Sequence, residues 1–199
     1  MCKKVAIFSG SFNPIHIGHL ALANFVVESK VVDELWFMVS PHNPLKEAQD
    51  LLSDEIRLEL VQLAIKGYPK FKASDFEFTL PQPSYTIRTL KALKETYPSY
   101  EFHLLIGADN WLIFNQWKDY HHIIANFHLL IYPRLGYDIK KETLPKQLVL
   151  VDSPVMEVSS TFIRNSIKQG KDYRYFLHPE VFKYIKEHQL YLNTSNADE

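Results

Sequence analysis

Two histidines three residues apart, His16 and His19, are the side chains best placed for chemistry in this sequence. Both lie in the last four residues of the segment Gly10 to His19. This segment follows a short apolar run and leads into a helix-like stretch. Residues at i and i+3 of a helix face the same side, so both imidazoles can face one ligand. A helix N-terminus also offers free N–H groups and a positive dipole end, which suit a phosphate. Gly18 leaves room for close approach to that helix end.

Other interpretations of this pair predict different proteins. Each histidine alone fits an ordinary surface or capping residue. A catalytic zinc takes three protein ligands, but no His-Glu-x-x-His is present and the other histidines are scattered. Neither G-x-G-x-x-G nor G-x-x-x-x-G-K-[ST] occurs, which disfavours dinucleotide-dependent hydride transfer and P-loop chemistry.

A second candidate group is Ser159, Ser160 and Arg164. Serine at a helix start caps the helix, and its hydroxyl can also donate to phosphate oxygens. Arg164 follows Ser160 by four residues, so it lies one turn further along the same face. Its guanidinium can bind phosphate through two parallel hydrogen bonds. Taken alone, the group is better explained as a capped helix with a solvated arginine.

Both segments resemble signatures of the nucleotidylyltransferase superfamily. Residues 10–19, Gly-Ser-Phe-Asn-Pro-Ile-His-Ile-Gly-His, resemble G-[ST]-F-D-P-x-H-x-G-H, with Asn13 where aspartate is commoner. Residues 158–164, Val-Ser-Ser-Thr-Phe-Ile-Arg, resemble [IV]-S-[ST]-T-x-[IV]-R. The resemblance implies a Rossmann-like fold and transfer of a nucleotidyl group from a nucleoside triphosphate.

Within the superfamily, the chain resembles nicotinate-mononucleotide adenylyltransferases over nearly its whole length. The resemblance implies catalytic roles for His16, His19, Lys46 and Arg164. It implies ATP contacts by Gly10, Ser11, Phe12, His16, His19, Gly107, Asp109, Ser159, Ser160 and Arg164. It implies acceptor contacts by Asn43, Lys46, Ser84, Tyr85, Thr86, Trp117 and Arg134. The spacing around Lys46 differs from the common P-P-H-K form, and Leu135 replaces the usual proline after Arg134.

The residues of these further elements also fit structural roles. Tyr85 suits a core position, Asp109 suits an N-cap for a helix at Trp111, and Trp117 suits plain packing. In the functional interpretation, Asp109 holds the ATP ribose and Trp117 stacks on a pyridine ring. Backbone amides at Thr86, at a helix start, hold the nicotinate carboxylate.

The implied reaction is transfer of AMP from ATP to the phosphate of nicotinate mononucleotide, giving deamido-NAD and pyrophosphate in NAD biosynthesis. The acceptor phosphate is already an anion, so direct attack needs no covalent enzyme intermediate. Mg²⁺ is the implied cofactor, held mainly by ATP phosphates and water, with no metal ligands assigned to the protein. The expected partners are these two substrates, and the sequence leaves open whether the chain forms a homo-oligomer.

Several alternatives remain open from the sequence. Phosphopantetheine adenylyltransferases carry the same signatures but usually have threonine at the position of His16. Nicotinamide mononucleotide differs from nicotinate mononucleotide only at the carboxamide, and backbone amides can bind either group. A non-catalytic nucleotide sensor is disfavoured because His19 and Arg164 are both present. The net charge of -1 disfavours a nucleic-acid-binding module.

The composition predicts one globular domain in a reducing, cytoplasmic setting. Of 199 residues, 46% are hydrophobic and 23% charged, which argues against disorder. The single cysteine allows no internal disulfide, and no apolar run approaches the ~20 residues of a membrane span. We expect one domain over residues 1–192, with a small helical part from about residue 159, and a flexible tail over residues 193–199.

Strand-like and helix-like segments alternate along the chain and predict a doubly wound α/β fold. This fold has a mostly parallel sheet with helices on both faces. Extended segments are predicted at 4–8, 34–39, 71–78, 102–106, 127–132 and 147–151, and a loop at 41–49. Helices are predicted at 17–29, 54–66, 86–96, 111–126 in pieces, 160–168 and 179–188. In such sheets ligands bind at the carboxyl ends of the strands. Four of the segments with unusual residues fall at those ends: 9–19, 41–46, 107–110 and 133–137.

Overall fold

The structure, a computed structural model, describes residues 2–41, 51–139, 144–145 and 148–192. The strands are β1 (Lys3–Gly10), β2 (Glu34–Val39), β3 (Phe71–Ser74), β4 (Tyr100–Gly107), β5 (His128–Tyr132) and β6 (Leu148–Leu150). The helices are α1 (Ile17–Glu28), α2 (Asp54–Ile65), α3 (Thr86–Thr96), α4 (Ala108–Leu112), α5 (Tyr120–Asn126), α6 (Ser160–Lys168) and α7 (Pro179–Glu187).

Across the described residues, the strands form one parallel sheet in the order β3-β2-β1-β4-β5-β6. The chain leaves β1 toward β2 and β3, then returns to the other side of β1 at β4. The order therefore reverses between β1 and β4, and sheets of this kind bind ligands beside such a reversal, at the carboxyl ends of the strands.

Alternate residues of each central strand feed two separate apolar cores. In β1, Ala6 and Phe8 face the core that α1, α2, α6 and α7 cover. Val5 and Ile7 face the opposite core, which α3 and α5 cover. This period of two, with helices packed on both faces, confirms the predicted doubly wound fold.

Local signals in the sequence fix several helix ends. Ser53 caps α2 and accepts a hydrogen bond from the Ile56 N–H at 3.4 Å, as its position predicts. Pro179 is the first residue of α7. Gly170, at a φ of +70°, follows α6, and its N–H donates to Ile167 while that of Lys171 donates to Ser166. These bonds form a Schellman motif, which ends the helix.

One predicted segment is wrong in its second half. The extended stretch expected over residues 71–78 ends at Ser74, and a 3₁₀ turn follows over Phe76–Thr79. The Ser74 hydroxyl accepts a hydrogen bond from the Phe76 N–H at 3.3 Å, which supports the turn. The helical pieces expected from residue 111 begin earlier, at Ala108.

Candidate active site

The turn between β1 and α1 is held from outside by three distant side chains. Arg57 Nη1 donates to the Ser11 carbonyl at 2.6 Å. Arg164 Nη1 donates to the Asn13 carbonyl, and Ser160 Oγ donates to the Pro14 carbonyl, both at 2.9 Å. These bonds pair carbonyl groups of the turn with donors from α2 and α6. The shape of the turn is therefore set by α2 and α6.

Within the turn, Phe12 has a φ of +45°, a left-handed backbone that non-glycine residues adopt rarely. Its ring is buried and packs edge-on against Phe37 and His19. The ring therefore belongs to the core and anchors the turn from inside.

His16 and His19 lie together at the N-terminus of α1. Their rings stack with centroids 3.7 Å apart and an interplanar angle of 21°. The backbone N–H of His16 donates to Nδ1 of His19 at 3.3 Å. A neutral His19 then carries its proton on Nε2, where it can donate to a ligand. The buried Nδ1 of His16 has no hydrogen-bond partner within the described residues.

Gly18 packs tightly against this pair. A Cβ at this position would lie 3.1 Å from both Cε1 and Nδ1 of His16 and 3.7 Å from Cβ of Val158. A side chain would thus press on the His16 ring. The sequence reasoning assigned Gly18 to ligand access, and the structure adds this contact.

Both imidazoles are uncharged at neutral pH. Burial, and secondarily the Arg134 guanidinium, lower the pKa of His16 to about 4. Burial first, then His16 and Arg134, lower the pKa of His19 well below its ordinary value. Neutral imidazoles act as hydrogen-bond donors and acceptors, and a bound anion would raise both pKa values.

A cavity of about 200 Å³ opens between the N-termini of α1 and α6. Its walls include His16, Gly18, His19, Tyr132, Arg134, Ser159 and Ser160. Two helix N-termini, hydroxyls and a guanidinium together favour a polyanionic ligand. The expected ATP contacts Gly10, Ser11, Phe12, Gly107, Asp109 and Arg164 do not line this cavity.

Residues of the second signature, 158–164, form hydrogen bonds with the turn between β1 and α1. Ser159 is the N-cap of α6 and accepts a hydrogen bond from the Phe162 N–H at 3.1 Å. Ser160 and Arg164 face the same side, as their spacing predicts, and both donate to carbonyls of residues 13–14. Arg164 also donates to Thr161 Oγ1 at 3.3 Å, while its buried Nε has no partner among the described residues.

Asp109 and Arg134 meet beside the cavity. Nε of Arg134 lies 3.4 Å from Oδ1 of Asp109. Helix α4 begins at Ala108 with Gly107 at the N-cap, so Asp109 is not the helix cap that an alternative interpretation suggested. A Cβ on Gly107 would overlap the Asp109 carboxylate and lie 3.1 Å from the Tyr132 ring, so a larger residue would displace the Asp109 side chain.

Among the described residues expected to bind the acceptor, Arg134 lines the cavity, whereas Ser84, Tyr85, Thr86 and Trp117 do not. Tyr85 occupies the N-cap position of α3, and Thr86 is the first helical residue. Nζ of Lys118 lies 4.4 Å from the centre of the Tyr85 ring. Tyr85 and Lys118 line an open groove with Arg88 and Lys91.

Trp117 and Ser84, two further residues expected to bind the acceptor, both contact neighbouring side chains. Trp117 is half-buried and packs on Phe114, with ring centroids 5.0 Å apart, which leaves part of its ring exposed. The backbone N–H and hydroxyl of Ser84 both donate to the Gln82 side chain at 3.1 Å. Asn43 and Lys46 lie outside the described residues.

The match to known proteins covers most of the chain. The cytidylyltransferase-like family model matches residues 7–166. A protein of Bacteroides fragilis named "Probable nicotinate-nucleotide adenylyltransferase" is 55% identical over 98% of this chain and 96% of its own length. The chain belongs to the cytidylyltransferase-like family, in its nicotinate-nucleotide adenylyltransferase branch. A Flavobacterium johnsoniae protein of the same name is 45% identical over 94% of this chain and 98% of its own.

A solved structure of another protein has the same fold as this chain. The Plasmodium falciparum nicotinic acid mononucleotide adenylyltransferase complexed with NaAD superimposes with a TM-score of 0.79. The alignment covers 95% of this chain and 97% of that one, at 21% sequence identity. None of the helices in the described ranges has the length and apolar character that a membrane span requires.

Arg57 is a residue of the site that the sequence reasoning missed. It is fully buried, pairs with Asp54, and donates to the Leu52 carbonyl at 3.1 Å as well as to Ser11. The sequence does contain a signal for its burial, because Arg57 shares the helical spacing of the apolar residues of α2. The buried residues of this helix are Arg57, Leu60, Val61, Ala64 and Ile65. An arginine at i in the apolar pattern i, i+3, i+4, i+7, i+8 indicates a charged residue on the buried face.

Proposed function

We propose that this chain transfers AMP from ATP to the phosphate of nicotinate mononucleotide, releasing pyrophosphate and deamido-NAD. The observation that carries the proposal is the stacked pair of neutral histidines at the start of α1, facing a polar cavity between two helix N-termini. This arrangement suits a chain of phosphates. Transfer of a nucleotidyl group depends mainly on positioning the phosphates and stabilising their charge, and it requires no nucleophile from the protein.

In the proposed step, an oxygen of the acceptor phosphate attacks the α-phosphorus of ATP in line with the leaving group. One oxygen–phosphorus bond forms, and the bond from the α-phosphorus to the bridging oxygen of pyrophosphate breaks. The attacking oxygen is already anionic, so no protein base or covalent intermediate is required. The protein contributes position and stabilisation of charge.

His16 and His19 are proposed to bind the ATP phosphates. Nε2–H of His19 and the free amides of the first turn of α1 donate to phosphate oxygens. Arg134 adds a positive charge at the edge of the cavity, where the two substrates' phosphates meet. Asp109 accepts from the ribose hydroxyls, held in place by its ion pair with Arg134.

The remaining ATP contacts are proposed to act through the turn. Gly10, Ser11 and Phe12 are proposed to contact ATP through their backbone groups. Ser159 and Ser160 border the cavity at the start of α6. Arg164 holds the Asn13 carbonyl. Lys46 and Asn43 are assigned to the acceptor on the resemblance alone.

Acceptor recognition is proposed to lie at the start of α3. The amides at Tyr85 and Thr86 suit the nicotinate carboxylate, because a helix N-terminus favours an anion. The Ser84 amide already donates to the Gln82 side chain, so Ser84 would contact the carboxylate only after giving up that bond. The exposed part of the Trp117 ring offers a stacking face for the pyridine.

Magnesium is proposed to enter with ATP. Within the described ranges, no three His, Cys, Asp or Glu side chains are grouped to hold a metal. No carboxylate of the described residues lines the cavity, and Asp109 beside it pairs with Arg134. This donor set fits a Mg²⁺ ion that ATP phosphates and water hold, which matches the ion's preference for phosphate and water ligands. When bound, the ion would supply positive charge that offsets the negative charge of the ATP phosphates.

The test is pyrophosphate release with ATP and Mg²⁺, comparing nicotinate mononucleotide, nicotinamide mononucleotide and phosphopantetheine at equal concentration. We expect a strong preference for nicotinate mononucleotide, because the carboxylate gains the charge interaction at the α3 N-terminus. Preference for either other acceptor would overturn the assignment of Thr86 and Trp117. Absence of turnover with all three would instead support the nucleotide-sensor alternative.

A further inference from the structure

Asn13 is the point where three distant segments reach the first turn. It is buried, and its side-chain Oδ1 accepts two hydrogen bonds. One comes from the Leu52 N–H at 3.3 Å, just before α2, and the other from the Tyr191 hydroxyl at 2.9 Å, beyond α7. Its backbone carbonyl accepts from Arg164 of α6. The Tyr191 bond spans 178 positions of sequence.

The route from α7 to Asn13 is well defined. Val181 and Ile185 anchor α7 in the core. The N–H of Leu190 then donates to the Ile185 carbonyl at 3.0 Å, which turns the chain back toward the sheet. Tyr191 has a φ of +64°, a backbone region that a residue with a side chain adopts rarely, so its surroundings must stabilise it.

The Tyr191 side chain is buried and its hydroxyl stays protonated. Burial raises the pKa of Tyr191 well above its ordinary value, while Arg164 and Arg57 oppose that rise. The hydroxyl is therefore available as a donor to Asn13 over the whole range in which the protein would be assayed. Because the acceptor is the Asn13 side chain, the bond constrains the turn and not only the core.

Asn13 lies three residues before His16, so its orientation sets the direction in which the chain enters α1. A displacement of about 1 Å in such a site can cost about 100-fold in rate. The segment that carries Tyr191 lies beyond residues 7–166, which the family model matches.

We propose that Tyr191 is a positioning residue for the phosphate site. Its hydroxyl bond to Asn13 fixes the turn that presents His16 and His19, so the segment after α7 contributes to ATP turnover. This inference rests on the proposed function for its kinetic test. The competing explanation is that Tyr191 only fills the core, in which case its ring suffices and the hydroxyl is dispensable.

Tyr191→Phe separates these explanations, because it keeps the ring and removes the hydroxyl. Tyr184→Phe is the matched control. Tyr184 lies on α7 and donates its hydroxyl to Glu59 Oε2 of α2 at 2.7 Å, away from the first turn. We expect Tyr191→Phe to lower kcat/KM for ATP by about 10- to 100-fold at a melting temperature close to that of the control. The control should keep wild-type kinetics.

Asn13→Ala provides a second route to the same lost bond if Tyr191→Phe folds poorly. Combining it with Tyr191→Phe completes a double-mutant cycle, in which the second change should add little. Wild-type kcat/KM in Tyr191→Phe would overturn the proposal. Fully additive losses in the cycle would overturn it as well.

Hydrogen exchange gives a readout that does not depend on the reaction. Amides of residues 10–19 should exchange faster in Tyr191→Phe than in Tyr184→Phe, with α7 unchanged between the two. If the wild type turns over none of the acceptors, the proposed function fails while this measurement still decides the positioning role. Equal exchange of residues 10–19 in both variants would refute it.

Discussion

Replacing His19 tests which of its two nitrogens serves the reaction. Nδ1 of His19 accepts from the His16 N–H, so Nε2 is the atom that can donate to a phosphate. The amide oxygen of asparagine can take the place of Nδ1, whereas the longer glutamine places its amide near Nε2. His19→Asn therefore removes the donor and keeps the bond to the backbone, and His19→Gln does the reverse. His19→Ala removes both.

The size of the effect follows from the site. Loss of one well-aimed donor costs about 10²–10³ in kcat, or ~3–4 kcal/mol. The ring also makes edge contacts with Phe8 and Phe12 and stacks on His16. Losing an aromatic contact costs about 0.5–1.5 kcal/mol, which a domain with about 5–15 kcal/mol of stability tolerates. We expect all three variants to fold.

The assay is the initial rate of pyrophosphate release at neutral pH, with saturating nicotinate mononucleotide and a range of ATP concentrations. We expect His19→Asn and His19→Ala to lose about 100-fold or more in kcat, and His19→Gln to recover part of that loss. Circular dichroism and melting curves check folding. If His19→Asn turns over like the wild type, or if His19→Gln is no faster than His19→Asn, the assignment of Nε2 is wrong.

Three further perturbations test other parts of the site. Trp117→Ala should raise the KM of the acceptor by up to about tenfold and that of ATP less, because it removes stacking on the pyridine; equal effects in steady-state kinetics would contradict the placement. Gly107→Ala should raise the KM of ATP by about tenfold, a 1.4 kcal/mol loss, since a Cβ would displace Asp109, and an unchanged KM would refute that role. His16, buried with its pKa lowered from 6.5 to about 4, makes unfolding easier as the pH falls through that interval, because the unfolded chain binds the proton first. The resulting loss in the free energy of unfolding amounts to about 3 kcal/mol. His16→Asn should flatten this fall in urea titrations at successive pH values, and profiles parallel to those of the wild type would exclude the effect.

Elements marked by local chemistry were predictable from the sequence. Ser53, Pro179 and Gly170 act within a few residues of their own positions, through caps and turns that neighbouring backbone groups complete. The error at residues 71–78 has the same origin. Apolar and polar residues alternate over residues 71–74 and 76–78, a pattern that favours a strand, whereas the Ser74 hydroxyl supports a turn between them.

The reaction was also predictable, but from the likeness of two motifs to a known family and not from their geometry. The spacing of His16 and His19 indicated a shared ligand, and the rings do stack at the start of α1. The spacing of Ser160 and Arg164 indicated a shared face. It gave no indication that this face contacts the carbonyls of Pro14 and Asn13.

The sequence by itself determined the alternation of strands and helices, several helix ends, and the local pairing of His16 with His19, because these depend on interactions between near neighbours. Only the tertiary structure decided that β4 lies beside β1, that Arg57 is buried beneath Ser11, and that Tyr191 bonds to Asn13. These contacts join residues about 46 to 178 positions apart. Their partners are selected by packing and by the need to satisfy buried polar groups, and periodicity along the chain carries no information about either.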